Sequence, residues 1–583
     1  MYIKEIFWFI KSVIKNSIKF IKKIGFSNKI GRPFKFFFYL PLSYQWEDII
    51  NKSNQDRLEN LSKKNFSRKI LIAPVIGFYD SSLGIETVIA KSLQISGAEV
   101  KVLSCNFVLP ASALDPAGNN KPYFKENKNK KFSFNELDLG KISNENIEKL
   151  CSILNLDELK LDRFEQSTDT KNAVDFLKSI KIEFEEQILY KGIDISEHAK
   201  STTLRRLLRG DLDRNNKYHG AVYYRYLLAC IKYIDLLERG FNEFKPESIF
   251  AIHGIYLEHG ILRDFARREK IPIYIYGIPD RKSTILISVN DTYHRTYMNE
   301  KNSIWKDIHM TEKMRHKLYD YLNSKLYGGR DYINYHPNPL LDKQKILNEL
   351  DIEPEKKLVS MYTNVLWDAQ IFYPSSIFDG LLDWINETIK FYSKMSDVVL
   401  AIRIHPAENK GGFSTNQPLA KEIRKLYGIM PKNVRIIGPD SNISSYILSD
   451  MSDLSIVYGS NIALEIALRG NPLIIAGEAF CRGKGFSIDP SSKEEYFKIL
   501  SQNEKIEGNT KDQIQLAEKY SYHWNFRRIF NFDYASTDVS GKNMTRNVLL
   551  NFDTLEDLKE GKNKGLDIVN NLLLGKSDRY FDE

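Results

Sequence analysis

Three short stretches in the second half of the chain carry residue types that could grip a phosphate and its leaving group. Asp453 to Gly477 (DLSIVYGSNIALEIALRGNPLIIAG) reads as strand, turn, helix and strand. Gly459 turns the chain, Ser460 and Asn461 open the helix, Gly470 ends it and Pro472 leads into the next strand. A helix start presents unpaired N–H groups and the positive end of the helix dipole, which together bind anions. Ser460 adds a hydroxyl, and Glu465, one turn further in, could accept hydrogen bonds from sugar hydroxyls. The plain alternative is a Ser460 N-cap with Glu465 on a solvent face. The second stretch is Arg403-Ile404-His405-Pro406-Ala407-Glu408, directly after an apolar strand, where an Arg fork and a His ring nitrogen could meet phosphate oxygens. A second His-Pro pair, His336-Pro337, reads as structural. The third is Thr363 to Ala369 (TNVLWDA), at the first strand-to-helix turn of the same region, with Thr363 and Asn364 as small polar donors.

Several chemistries are disfavoured. There is no GxGxxG and no GxxxxGK[ST], which argues against a dinucleotide fold and a P-loop ATPase. The four cysteines, Cys105, Cys151, Cys230 and Cys481, have no metal-ligand spacing, and the reading is a reduced cytoplasmic protein. Asp211-Leu212-Asp213 forms a DxD pattern that reads as a solvated turn, so no essential metal is expected. The net charge of +9 over 583 residues suits acidic partners such as nucleotides or anionic lipids and does not point to nucleic acid.

These stretches need a frame of parallel strands to bring them together. Lys69 to Val75, a turn holding Gly77 and Asp80, a helix from Ile85 to Ile95 and Glu99 to Cys105 make a βαβ unit. Residues 115–245 read as a helical insertion, and Ser248 to His253 with Pro272 to Tyr276 close the first unit. Strands at Lys357 to Tyr362, Val398 to Ile404, Val434 to Ile437, Leu454 to Tyr458 and Leu473 to Ala476 make a second series. The expected fold class is α/β, two Rossmann-like domains facing a cleft. The expected divisions are an N-terminal segment 1–50, a first domain 68–300, a linker 301–355, a second domain 356–510 and a helical tail 511–583. Ligand is expected in the cleft, at the carboxyl ends of the strands.

Residues 2–24 project as a helix with Ile3, Ile6, Phe7, Ile10, Val13, Ile14, Ile18, Ile21 and Ile24 on one face and Lys4, Lys11, Lys15, Lys19 and Lys22 opposite. That pattern describes a helix lying in the interface of an anionic membrane, and the alternative is a helix docked on protein. No run of about 18 apolar residues occurs.

TNVLWDA, RIHPAE and VYGSNIALEIALRGNPLIIAGEAFCRGKGF resemble the bacterial capsule polysaccharide biosynthesis family, which includes Kdo transferases and is similar to other GT-B-type enzymes. The resemblance covers about 355–490. It is looser around residues 69–105 and His253-Gly254, and 115–245 has no match. It implies a glycosyltransferase taking a CMP-, CDP- or UDP-linked sugar to a surface polysaccharide or its lipid anchor, and the helix projected at 2–24 would hold it to the inner face of the cytoplasmic membrane. It implies His405 and Ser460 as the donor-phosphate pair, with Asn461 and Glu465 beside them. Gly477, Gly483, Lys484 and Gly485 would close over sugar or phosphate. The nucleotide sugar is a substrate, and no tightly bound cofactor is expected. Transfer needs a base from the first domain. Asp80 is the first candidate; His253, Glu258 and His259 are the others. A nucleotide-sugar epimerase, a polyol-phosphate transferase and a non-catalytic export scaffold remain the competing readings.

Overall fold

The computed structural model describes residues 41–53, 68–74, 80–106, 108–113, 124–126, 132–134, 139–326, 330–331, 338–368, 376–409, 415–502, 506–537 and 548–582. The projected helix at 2–24, Gly77, Ala369 and His336-Pro337 lie outside them.

Two sheets organise the chain. The first holds β1 (Lys69–Ala73), β2 (Glu99–Ser104), β3 (Asp157–Lys160), β4 (Ser248–Ile252), β5 (Ile273–Gly277) and β6 (Thr284–Val289). The second holds β7 (Lys357–Tyr362), β8 (Val398–Arg403), β9 (Val434–Ile437), β10 (Leu454–Val457) and β11 (Leu473–Ile475). A last strand, β12 (Ile529–Asn531), returns to the first sheet, whose order is β12-β6-β5-β4-β1-β2-β3; the second runs β9-β8-β7-β10-β11. Strands β3-β2-β1-β4-β5 are parallel throughout, as are all five of the second sheet, while β6 and β12 are antiparallel additions. Both sheets thus share one order, with the strand direction of travel reversing beside β1 in one and β7 in the other. Each reversal opens a crevice outside the strand carboxyl ends.

The strand sequences explain the burial. A parallel strand covered on both faces reads as a continuous apolar run. In β1, Ile70 and Ile72 enter one core with Val88, Leu93 and Leu572, and Leu71 and Ala73 enter another with Tyr226, Ile234 and Leu262. In β7, Val359 and Met361 pack on one side with Trp384, and Leu358 and Tyr362 on the other.

Eight helices matter below: α1 (Leu42–Lys52), α2 (Asp80–Ile95), α3 (Ile195–Leu207), α4 (Lys217–Phe244), α5 (Ile261–Arg268), α6 (Tyr293–Met298), α7 (Glu312–Lys325) and α8 (Ile462–Leu468). Asp194 caps α3 by accepting from the Ser196 and Glu197 amides, and Asn216 caps the 28-residue α4 the same way through Tyr218 and His219. Both end at residues in left-handed conformation, Leu208 and Lys245.

Two expected divisions differ. The stretch 115–245 is not a cap apart from the sheet: β3 extends it, and α3 and α4 supply one of its two cores. The stretch from 511 is not a separate tail. It crosses back to add β12, and Phe530, Val548, Leu566 and Leu573 complete the other core, against α1 and α2. Among the described residues, no helix is long and apolar enough to cross a membrane.

Candidate functional site

Helix α3, packed in a core of the first sheet, reaches the second half of the chain through its last turn. Its last carbonyls lack intrahelical donors. Leu207 O accepts from Asn416 Nδ2 (2.8 Å), and Leu208 O from the Asn416 amide (3.1 Å) and Thr415 Oγ1 (3.2 Å). Gly210 N donates to Gln417 Oε1 (2.9 Å), and Leu208 packs with Val365 and Trp367 of the turn after β7. A Cβ on Gly210 would sit 2.9 Å from the Leu366 side chain, so only glycine allows this approach.

On the second sheet the expected phosphate residues converge. Thr363 N donates to Arg403 O (3.1 Å) and Thr363 Oγ1 accepts from His405 N (3.2 Å), which locks the ends of β7 and β8 together. Asn364 Oδ1 accepts from Gly459 N (3.0 Å), joining the first turn to the one after β10. His405 Nδ1 accepts from Ala407 N (3.1 Å), so the neutral ring carries its proton on Nε2, a donor suited to an anion.

Other expected contributors are spent elsewhere. The Arg403 fork does not offer its ends to a ligand: Nη1 donates to Gly438 O (2.5 Å) and Nη2 to Ser441 O (3.1 Å), with the side chain buried. Lys484 does not close over a ligand. It is buried and donates to Glu300 O (3.0 Å). Glu465 Oε1 pairs with Lys325 of α7 (2.9 Å), while its Oε2 is buried without a partner. Asn461, not Ser460, is the residue before the seven-residue α8, and its side chain makes no cap. Glu258 is buried and accepts from Ser112 Oγ (2.5 Å) and Ala113 N (2.9 Å), fixing a loop. Asp80 is the half-buried first residue of α2. Asp211 Oδ2 accepts from Gln417 Nε2, a bond to a distant loop, and Asp213 Oδ1 accepts from Asn215 N within its own turn. Among the described residues, no trio of His, Cys, Asp or Glu groups as a metal site.

The first sheet presents His253 at the end of β4, its backbone in the left-handed region at φ 57°, followed by Gly254 at φ 67°. A non-glycine residue there is strained, and the chain then makes a π-turn over Tyr256–Gly260, a feature concentrated at functional sites. Arg263 holds the turn by donating to Gly254 O (3.0 Å) while paired to Asp264 (2.8 Å). Thr202 of α3 accepts from Leu257 N (2.8 Å). His253 Nδ1 lies 3.2 Å from the Tyr293 hydroxyl of α6.

Asp368 is exposed on the turn after β7. Burial pushes His253, His294 and His405 each down to about 4, and the Asp368 carboxylate acts against that fall in all three. Burial raises Tyr256 to about 12; Arg205 lowers it and Asp368 adds to the rise. Arg205, near the end of α3, lies 4.3 Å over the Trp367 ring. One carboxylate therefore acts electrostatically on three imidazoles, one after β4, one on α6 and one after β8. Such a group can move a proton and steady a developing charge.

Sequence reasoning named His253 and His405 but missed Asp368, Arg205, Tyr256, Tyr293 and His294. Asp368 lay within the quoted TNVLWDA stretch. Nothing local marks the others, because α3 and α6 enter the crevice only through tertiary packing.

The sequence matches no protein-family model and no curated protein. Among solved structures the fold is similar to a Thermosulfurimonas dismutans KpsC beta Kdo 2,4 transferase, with 10% identity and a TM-score of 0.32 over 57% of this chain and 88% of that one. A beta Kdo 2,7 transferase of KpsC from the same organism gives 12% and 0.28 over 49% and 79%. A Neisseria meningitidis UDP-GlcNAc 2-epimerase bound to UDP-GlcNAc gives 12% and 0.23 over 78% and 98%.

Proposed function

We propose that this chain is a GT-B-type glycosyltransferase, moving a sugar from a CMP-, CDP- or UDP-linked donor to a surface polysaccharide or its lipid anchor. The observation that carries it is the reach of the Asp368 charge to His253, which follows β4 of the first sheet, and to His405, which follows β8 of the second. A donor held by one sheet and an acceptor held by the other would meet there.

In this reading the donor phosphate lies against His405 Nε2–H, the Ser460 hydroxyl and the backbone at Gly459 to Asn461. The acceptor hydroxyl lies at His253. Its oxygen bonds to the anomeric carbon as the bond from that carbon to phosphate oxygen breaks. The hydroxyl proton passes to His253, and the nucleotide leaves as an anion steadied by His405. The imidazolium forming on His253 faces Asp368, whose charge favours it. Asp80 is the alternative base. No resident cofactor takes part in the scheme. The chain would work at the inner face of the cytoplasmic membrane, held by residues 2–24.

Incubating the protein with radiolabelled sugar nucleotides tests this. Label entering a polymer or lipid fraction supports transfer. A free epimerised sugar nucleotide, or no turnover of any donor with any glycan fraction, overturns it. The variants His253→Gln and Asp80→Asn separate the two bases, since only the base variant abolishes turnover while leaving donor binding intact.

A further inference from the structure

The 3.2 Å contact between His253 Nδ1 and the Tyr293 hydroxyl joins two short elements, the turn after β4 and the six-residue α6. So short a helix cannot hold itself in place, and its neighbours must do so. One buried side chain reaches both elements, Arg263 of α5. Its Nη1 donates to Gly254 O, next to His253, at 3.0 Å and lies 3.4 Å from Asp291 Oδ1 in the turn leading into α6. Its Nε and Nη2 hold the two oxygens of Asp264 at 2.8 and 3.0 Å. Nη2 also lies 3.7 Å from Glu197 Oε1 of α3. That same oxygen accepts from Arg295 Nη2 of α6 at 2.8 Å. Asp264 Oδ2 further meets His198 Nε2 of α3 at 2.7 Å, and Asp291 Oδ1 accepts from Thr292 N at 2.7 Å.

Three carboxylates, Asp264, Asp291 and Glu197, are thus shared among the guanidinium groups of Arg263, Arg267 and Arg295. Burying such charges is a poor source of stability, because each must give up its water. What a planar fork supplies is geometry, since it accepts few orientations of its partners. Here the partners flank the His253–Tyr293 contact on both sides. Gly254 follows His253 in left-handed conformation at φ 67°, and its carbonyl is the one that Arg263 holds. Arg295 shares α6 with Tyr293 and His294.

We propose that Arg263, Glu197 and Arg295 are positioning residues for the His253–Tyr293 pair. Arg263 fixes the turn that carries His253, and Glu197 links Arg263 to Arg295 and so to the helix that carries Tyr293. None of the three touches reacting atoms. The consequence for sugar transfer rests on the reading of His253 as the base, whereas the placing of the pair does not.

The test records 1H–13C NMR spectra of the full chain labelled at histidine, without substrate, with the His253 signal identified by its loss in His253→Gln. Tyr293→Phe should move that signal, because it removes the bonded hydroxyl. Arg295→Ala should move it too, and Arg295→Lys, which keeps a cation for Glu197, should bring it back towards the wild-type position. In a Tyr293→Phe background Arg295→Ala should add no further shift, since the route to His253 runs through the missing hydroxyl. The His405 signal should stay in place throughout. A His253 signal unmoved in folded Arg295→Ala, the same added shift with and without the Tyr293 hydroxyl, or a matching displacement of His405 overturns the proposal. Once turnover is established, Arg295→Ala should lower kcat by up to about a hundredfold at unchanged donor KM, and a raised KM with kcat intact also refutes it. Absence of glycosyl transfer would sink the enzymatic reading and leave the spectra as they are, so the two ideas fail separately.

Discussion

Lowering the pH from 8 to 5 should weaken the fold through the three crevice histidines, by an amount the structure sets. In the fold their pKa values are about 4, against an ordinary 6.5. Between those limits the unfolded chain binds more protons than the folded one, so stability is lost as pH falls. At pH 5 an unfolded imidazole is almost wholly protonated and a folded one scarcely so, which amounts to at most about 2 kcal/mol per ring. Glu408 works in the opposite sense. Burial holds it up at about 7, so the fold keeps a proton that the unfolded chain would release. The wild-type total therefore mixes signs, and single variants are the cleaner readout. His405→Gln keeps an acceptor for the Ala407 amide and removes the titration. Urea unfolding at pH 8 and pH 5 gives the acid-induced loss for each protein. The loss in His405→Gln should be smaller than wild type by up to about 2 kcal/mol. Equal losses would mean that His405 is not buried neutral, and the reasoning about the crevice would fall with it.

Other outcomes are expected. Asp368→Asn should lower kcat by about a hundredfold or more, within the range of charge-stabilising groups, while nucleotide affinity measured by calorimetry stays within a few fold. Gly254→Ala should destabilise by about 1–3 kcal/mol in thermal unfolding, because the residue sits at φ 67° and a Cβ would lie 2.6 Å from Ile275 Cδ1. Lys325→Ala leaves the Glu465 carboxylate buried and unpaired, so a loss of about 3 kcal/mol is expected in urea unfolding, reduced in Lys325→Ala/Glu465→Gln. Removing residues 1–30 should abolish sedimentation with vesicles containing anionic lipid while leaving the far-UV circular dichroism of the remainder unchanged.

The strands were readable because a parallel strand buried on both faces is a near-continuous apolar run, as in KILIA of β1 and VVLAIR of β8. Their order was not, since pairing β4 beside β1 joins residues far apart in sequence. β12 was hidden for a related reason: IFN is three residues long and follows an aromatic-basic helix, so only its partner β6 identifies it. The turns after β8 and β10 were legible from His405, Gly459 and Ser460, whose types suggest chemistry wherever they stand. Arg403 and Lys484 misled because the same donors serve equally well to satisfy Gly438, Ser441 and Glu300 carbonyls. His259 carries no local pattern; the π-turn brings its ring centroid to 6.2 Å from that of His253.

The account turns on whether the second sheet holds a nucleotide. Thermal unfolding of the purified protein with CMP, CDP, UDP and GDP measures that directly, because a ligand bound only by the native state raises stability, by about 2.7 kcal/mol at a hundredfold excess over Kd. Selective stabilisation by a cytidine or uridine nucleotide, lost in His405→Ala, is the predicted result. No stabilisation by any of the four, or one unchanged in His405→Ala, would contradict the account.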